Sequence, residues 1–227
     1  MNHSVLSTRS NPPVPRSPVG RPDGQPLHVL LRDGTRQVHN AIEEAELHRR
    51  LLEHTLSRQE YAHQLQIYCT AWSTLESVAA SWQAKAPELL GLLHSRVPAL
   101  EQDLERLGAS RWPLPEKALD RLLRWREEAL AEASAGSPAV IGRVYVMEGA
   151  SLGARIQIRH LRRCPEVPEE ALTFFSQCAD RESGRWGAFL HALAARPFVR
   201  TDAEEIVLGA CRQFEALHEL FELCVRI

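Results

Sequence analysis

The sequence predicts an all-α protein, folded as a single-domain helical bundle of about seven or eight helices. Apolar residues recur every three or four positions along most of the chain, which is the repeat of one helix face. Capping patterns, prolines and glycines divide these apolar runs into separate helices. No segment alternates apolar and polar residues between turn signals, as a half-buried strand would.

The first helices of the bundle are predicted from near residue 27 onward. Ser57 and Glu60 form the capping box S-x-x-E, which indicates the start of a long second helical segment. Gly108 follows another apolar run and is a typical helix stop. The apolar face of the first predicted helix consists of Leu31, Thr35, Val38, Ile42 and Ala45.

The later helices are predicted in the same way. One lies between Pro115 and Gly136, and the next begins at Ser137-Pro138, an N-cap followed by proline in the first turn. Thr201 and Glu204 form a second capping box, which indicates the start of the last helix. The apolar stripe of that helix consists of Ile206, Ala210, Phe214, Leu217, Phe221 and Cys224.

Composition excludes several classes of protein. The 227 residues include 27 Lys and Arg against 29 Asp and Glu, a formal charge of −2. This balance excludes binding to nucleic acid or an anionic membrane by bulk charge. No apolar run reaches the roughly 18 residues of a membrane span. Five cysteines without a CxxC pair suggest neither a disulfide framework nor a zinc site, and they favour a cytoplasmic location.

The N-terminal segment differs from the rest of the chain. Six prolines lie between Ser10 and Pro26, with almost no apolar residue among them. Such a segment cannot bury enough surface to offset the entropy lost on ordering. We therefore expect a disordered tail over residues 1–26 and one folded domain over residues 27–227.

A polar stripe lies beside the apolar face of the first helix. Arg32, Arg36, His39 and Glu43 are spaced four, three and four residues apart, so they share one face. Glu43 is placed to hold one imidazole nitrogen of His39, which is the arrangement typical of a metal-ligating histidine. The arginines could bind anionic groups on the same ligand. A solvated helix face with an incidental histidine is the commoner explanation of such a pattern.

Three glycines interrupt the predicted helix that follows Ser137. Gly142, Gly149 and Gly153 each cost roughly 1 kcal/mol relative to alanine in a helix interior, so a compensating gain is expected. One such gain is a backbone that a flat ligand can approach closely. The other is close packing between helices, and the sequence does not separate the two.

Three segments resemble one known family. The run Tyr145-Val-Met-Glu-Gly-Ala-Ser-Leu-Gly-Ala-Arg resembles the distal-helix signature of bacterial haem oxygenases. The pattern Leu31-Arg-x-x-Thr-x-x-x-His-x-x-x-Glu resembles the proximal helix of that family. Phe174-Phe175 followed by Gly184-x-Trp-x-x-Phe resembles a third family pattern. The similarity extends to the biliverdin-forming branch, which includes forms found beside bacteriophytochromes.

The resemblance implies a haem oxygenase that uses haem and O₂ and forms biliverdin, CO and free iron. It implies an external electron donor, either a ferredoxin or a reductase, and a bacteriophytochrome as a candidate recipient of biliverdin. His39 falls at the position of the iron ligand, and Gly149 and Gly153 fall at the catalytic distal positions. The haem-binding residues that the resemblance implies are Arg32, Arg36, His39, Glu43, Tyr145, Gly149, Ala150 and Gly153.

Two observations leave other functions open. Ala150 replaces the usual serine, so a hydroxyl that helps to hold distal water is missing. A non-catalytic haem-binding module is therefore one alternative. A haem-oxygenase-like di-iron oxidase is the other, because Glu60–His63 and Glu215–His218 have the Glu-x-x-His spacing of di-iron bundles.

Overall fold

A computed structural model describes residues 25–82 and 84–225, apart from the side chains of residues 181–184. Within this part the protein is all-α, as predicted, and no described helix is long and apolar enough to cross a membrane. The tail predicted over residues 1–26 lies outside the described residues except for Gln25 and Pro26. The α-helices are α1 (Leu27–Glu43), α2 (Glu46–Leu52), α3 (Arg58–Trp82), α4 (Pro87–Leu90), α5 (Val97–Leu107), α6 (Glu116–Ser134), α7 (Ala139–Ala150), α8 (Ala154–Leu161), α9 (Thr173–Ala195) and α10 (Arg200–Val225).

The described residues therefore form ten α-helices rather than the predicted seven or eight. Two of the additional helices, α2 and α4, have only seven and four residues, too short to show a helical repeat. The glycine-rich segment forms two helices, because a 3₁₀ turn over Ser151–Gly153 separates α7 from α8. Two further 3₁₀ segments occupy Ala109–Arg111 and Glu169–Ala171.

Two of the predicted helix ends are confirmed and one is wrong. The N–H of Ser57 donates to Glu60 Oε2 at 2.9 Å, and the N–H of Glu60 donates to Ser57 Oγ at 3.2 Å, which completes the capping box. Gly108 ends α5 with a left-handed φ of 66°. Helix α10 begins at Arg200, so Thr201 lies within its first turn instead of capping it. The Nε–H of Arg200 donates to Glu204 at 2.9 Å.

Helix α10 is the helix against which α1 and α7 both pack. A Cβ added to Gly142 of α7 would lie only 1.9 Å from the carbonyl oxygen of Ile206. A Cβ added to Gly209 of α10 would lie 2.2 Å from the carbonyl oxygen of Ala139. The backbones of α7 and α10 are therefore in direct contact, and Gly142 serves helix packing. The predicted stripe of α10 is buried, except that Phe214 is half-buried.

A buried ion pair reinforces this contact. Arg143 on α7 is completely buried, and its guanidinium donates two hydrogen bonds to Glu132 on α6, at 2.6 and 2.9 Å. Beside it, Nε1 of Trp125 donates to Gln213 on α10 at 2.9 Å. Bidentate pairing satisfies the buried charge, so α6, α7 and α10 are held in one arrangement.

The five cysteines are all free thiols. Three of them, Cys164, Cys178 and Cys224, are buried. Burial raises the pKa of Cys211 to about 11 and that of Cys224 to about 12. The three buried cysteines are packing residues of the core.

We predict that Gly142→Ala destabilises the protein, because the new methyl group would collide with backbone atoms that cannot rotate away. The free energy of unfolding should fall by about 3 kcal/mol, as for severe overpacking. Gly187→Ala is the matched control, since no atom lies within 4 Å of its added Cβ. That change should stabilise α9 by about 0.5–1 kcal/mol. Denaturant unfolding of both variants measures the difference, and equal effects would contradict the assignment of Gly142 to packing.

Candidate functional site

His39 lies on the exposed side of α1 with its ring against α10. Half of its side-chain surface is exposed, at 50%. The ring makes an edge contact with Phe214, with 5.4 Å between centroids and 73° between planes. Nδ1 lies 3.7 Å from Glu43 Oε2, too far for a direct hydrogen bond but suitable for a bridging water or a small rotation. The imidazole is thus oriented by its neighbours and remains available to a ligand.

The two arginines of the polar stripe are more exposed than His39. Both have 67% of their side-chain surface exposed, and both donate to Asp33 Oδ1, at 3.1 Å from Arg32 and 2.9 Å from Arg36. The hydrogen bond from Arg32 lowers the pKa of Asp33. Each guanidinium has five N–H donors, so both keep donors for another anion.

Tyr145 of α7 interacts electrostatically with the polar stripe of α1. Burial raises the pKa of the Tyr145 hydroxyl, and the positive charge of nearby Arg32 opposes that rise. Arg32 therefore lies close to Tyr145. Helices α1 and α7, which carry these residues, both pack on α10.

The distal glycines have different surroundings. A Cβ added to Gly149 would lie 3.3 Å from Cη2 of Trp186, so this glycine accommodates an aromatic ring of α9. A Cβ added to Gly153 would meet only the Nε2 atom of Gln157, at 3.3 Å. Gly153 also ends the 3₁₀ turn, with φ −68° and ψ −17° that any residue adopts. Neither turn geometry nor helix packing explains Gly153, whereas an open approach to the backbone does.

Aromatic rings from α7 and α9 line this region. The rings of Tyr145 and Trp186 lie 5.2 Å apart, and Trp186 stacks on Phe189 at 5.7 Å and 12°. Phe174 and Phe175 are buried in the core, with an edge contact between them at 5.1 Å. The third sequence pattern therefore contributes one aromatic group beside the distal glycines and a second group in the interior.

These features fit the haem group that the resemblance implies. His39 supplies a half-exposed imidazole, Gly153 a backbone position bordered only by the end of Gln157, and the arginines positive charge. Histidine is a common axial ligand of haem iron. Within the described ranges, no three His, Cys, Asp or Glu side chains are grouped to hold a bare metal ion.

The residues that suggested a di-iron site have other contacts or lie at the surface. Glu60 completes the capping box and forms an ion pair with Arg50. Nε2 of His63 lies 3.1 Å from the carbonyl oxygen of Pro113. Glu215 is exposed on α10. The two Glu-x-x-His pairs therefore do not converge on a common site.

Sequence reasoning missed three residues near the candidate site. Phe214 was assigned to the core stripe, but it also supports the His39 ring. Ser151 is buried at the distal turn, and Gln157 lies next to Gly153. The four-residue spacing of Gly153 and Gln157, one helical turn, was the signal for this last neighbour.

Comparisons with known proteins indicate one family. The family model described as "Heme oxygenase" matches residues 25–223. A protein named "Heme oxygenase" from Xanthomonas campestris pv. campestris (strain 8004) is 30% identical over 124 residues, which are 54% of this chain and 65% of that protein. The match thus spans just under two thirds of that relative.

Solved structures share the fold at low sequence identity. Heme oxygenase from Leptospira interrogans matches with a TM-score of 0.74 and 19% identity, over 87% of this chain and 99% of that one. Heme oxygenase-1 from the cyanobacterium Synechocystis sp. PCC6803, solved in complex with heme, matches with a TM-score of 0.74 and 19% identity, over 87% and 91% of the two chains.

We predict that Gly153→Ala leaves the fold intact. Its methyl group would meet only the end of a flexible side chain, and alanine favours helical backbone over glycine. The free energy of unfolding should stay unchanged or rise by up to about 1 kcal/mol. Thermal or denaturant unfolding of the protein without ligand measures this. A loss of more than about 1 kcal/mol would instead indicate a packing role for Gly153.

Proposed function

Because the chain belongs to the haem oxygenase family, we propose that it cleaves haem to biliverdin, CO and free iron, using O₂ and external electrons. The observation that carries this proposal is the half-exposed imidazole of His39 on α1, with its Nδ1 beside Glu43. The match to the family model over residues 25–223 supports it. Haem, when bound, would supply both the iron that activates O₂ and the ring that is opened.

His39 would hold the haem iron through Nε2, because its Nδ1 faces Glu43. A carboxylate beside Nδ1 fixes the imidazole tautomer and makes the free nitrogen a better ligand. The edge contact with Phe214 limits rotation of the ring. These two neighbours orient His39 before the ligand arrives, which lowers the entropy cost of binding.

Arg32 and Arg36 would bind the carboxylates of haem. Both guanidinium groups are two-thirds exposed and already share Asp33, so each new contact would be screened by water. Their contribution to haem affinity should therefore be modest. Of the two, only Arg32 has a charge that acts on the Tyr145 hydroxyl of α7.

Gly149 and Gly153 would form the distal wall. At Gly153 the absence of a side chain leaves room for a small ligand between backbone and haem. Trp186 occupies the space next to Gly149 and bounds the wall on the α9 side. Ala150 brings no hydroxyl to this wall, so hydrogen bonds there depend on backbone groups and other side chains.

The reaction requires electrons from another protein. We propose a ferredoxin or a reductase as the donor, a cytoplasmic location, and a bacteriophytochrome as recipient of the product. A non-catalytic haem-binding module is the second candidate, and the missing hydroxyl at Ala150 favours it.

One experiment separates these functions. Haemin is added to the protein, followed by a reductant under air, while visible spectra are recorded. Biliverdin absorption would support the oxygenase. A stable haem complex that never turns over would support the binding module, and the absence of a Soret shift with iron bound instead would support a di-iron site.

We predict that His39→Ala abolishes iron ligation and turnover while the helical fold persists. The side chain is half exposed, so its removal should change the free energy of unfolding by less than about 1 kcal/mol. Soret absorption and biliverdin yield measure the effect. His94→Ala is the matched control, because His94 is an exposed loop histidine. An unchanged Soret band and normal biliverdin yield in His39→Ala would refute the ligand assignment.

We also predict that Gly153→Val sharply reduces turnover, or changes the ring position attacked, while haem still binds through His39. Branched carbons at this position would fill the space that the small ligand needs. The measurements are the Soret band, the biliverdin yield and the identity of the isomer. A variant that oxidises haem at the normal rate and position would contradict the distal role of Gly153.

A further inference from the structure

A small cavity lies directly behind the distal turn. Its walls come from α3, α7, the 3₁₀ turn, α8 and α9, and they include Met147, Ala150 and Cys178. The side-chain atoms of these three residues that line the cavity are apolar or only weakly polar. The volume is about 10 Å³, which is close to the minimum that holds a single water molecule.

Two polar side chains also line this cavity. Ser151 is 4% exposed, and its Oγ is buried without a hydrogen-bond partner in the protein. Oε1 of Gln157 is likewise buried without a partner. A buried polar atom left unpaired costs about 1–3 kcal/mol, so such atoms are normally satisfied by protein or by ordered water. The serine can donate or accept and the amide oxygen can accept, which are bonds that one water molecule can complete.

The other end of the Gln157 amide reaches the functional face. Its Nε2 lies 3.3 Å from the position of a Cβ on Gly153, and no other atom lies within 4 Å of that position. The same side chain therefore borders both the cavity and the open surface of the distal turn.

We propose that one ordered water bonds to Ser151 Oγ and Gln157 Oε1, and that it fixes Gln157 so that Nε2 donates to a ligand bound at the open face of Gly153. This rests on the proposed function for the identity of the ligand, a small oxygen species or anion on haem iron. Gln157 then supplies the distal hydrogen bond that Ala150 cannot make, and Ser151 is a positioning residue. The hydrogen-bond donor thus lies at position 157 instead of position 150.

The water site is tested without haem. In ¹⁵N-labelled protein, rotating-frame Overhauser spectra distinguish a long-lived water from chemical exchange by the sign of the cross-peak. We expect a water cross-peak at the side-chain amide of Gln157, assigned by its absence in Gln157→Leu. The peak should vanish in Ser151→Ala and persist in Ser73→Ala, an exposed serine of α3. No water peak in the wild type, or one that survives Ser151→Ala, would overturn the water site.

The donor role is tested with haemin and fluoride. In Gln157→Leu, Soret titration should give a haemin affinity within about twofold of the wild type, because Gln157 is not an iron ligand. The dissociation constant of fluoride from the ferric complex should rise by about tenfold, the loss expected for one hydrogen bond to an anion. Gln102→Leu, a change at an exposed glutamine of α5, is the matched control and should change neither constant.

The two proposals fail in different ways. A wild-type protein that binds haemin and fluoride, with fluoride affinity unchanged in Gln157→Leu, would overturn the donor role and leave the proposed function standing. A wild-type protein that binds no haemin would overturn the proposed function together with the donor role. The spectra of the haem-free protein would still decide whether the water site exists.

Discussion

The candidate site depends on the backbone contact between α7 and α10. Gly142 and Gly209 allow the two helices to approach until carbonyl oxygens would touch any added Cβ, and the buried Arg143–Glu132 pair holds α6 against them. The same α10 carries Phe214, which supports His39. One helix therefore sets the positions of both the proximal and the distal residues. The geometry between them is fixed by rigid packing instead of by loops.

The glycines of the distal segment have different structural surroundings. Gly142 and Gly153 lie eleven positions apart and look alike in the sequence, yet the first is enclosed by backbone and the second meets only the end of the Gln157 side chain. A 3₁₀ turn lies between the two glycines, at the junction of α7 and α8. Residues after this turn therefore do not continue the helical face of α7. A mid-helix 3₁₀ turn often marks a functional position, and here it brings Ser151 inward while Gly153 stays accessible.

The features predicted from the sequence are those that depend on neighbours within one helical turn. The capping box at Ser57 and the stripe that contains His39 depend on spacings of three and four residues, which local geometry determines. The four-residue α4 was missed because its helical turn lacks a periodic signal. The spacing relates Gln157 to Gly153, but the contact of Gln157 with the cavity could not be derived, since it depends on how α8 leaves the 3₁₀ turn. The choice between packing and access at each glycine likewise required the position of α10.

The high pKa values of two cysteines affect how readily the protein is oxidised. Cys211 and Cys224 have pKa values near 11 and 12. At neutral pH only about one such sulfur in ten thousand, or fewer, is therefore ionised. The ionised form is the one that peroxide attacks, so side products of reductant and O₂ find almost no target there. Cys178, beside the distal cavity, is shielded by complete burial instead. These sulfur atoms are therefore poor targets for oxidation by peroxide at neutral pH.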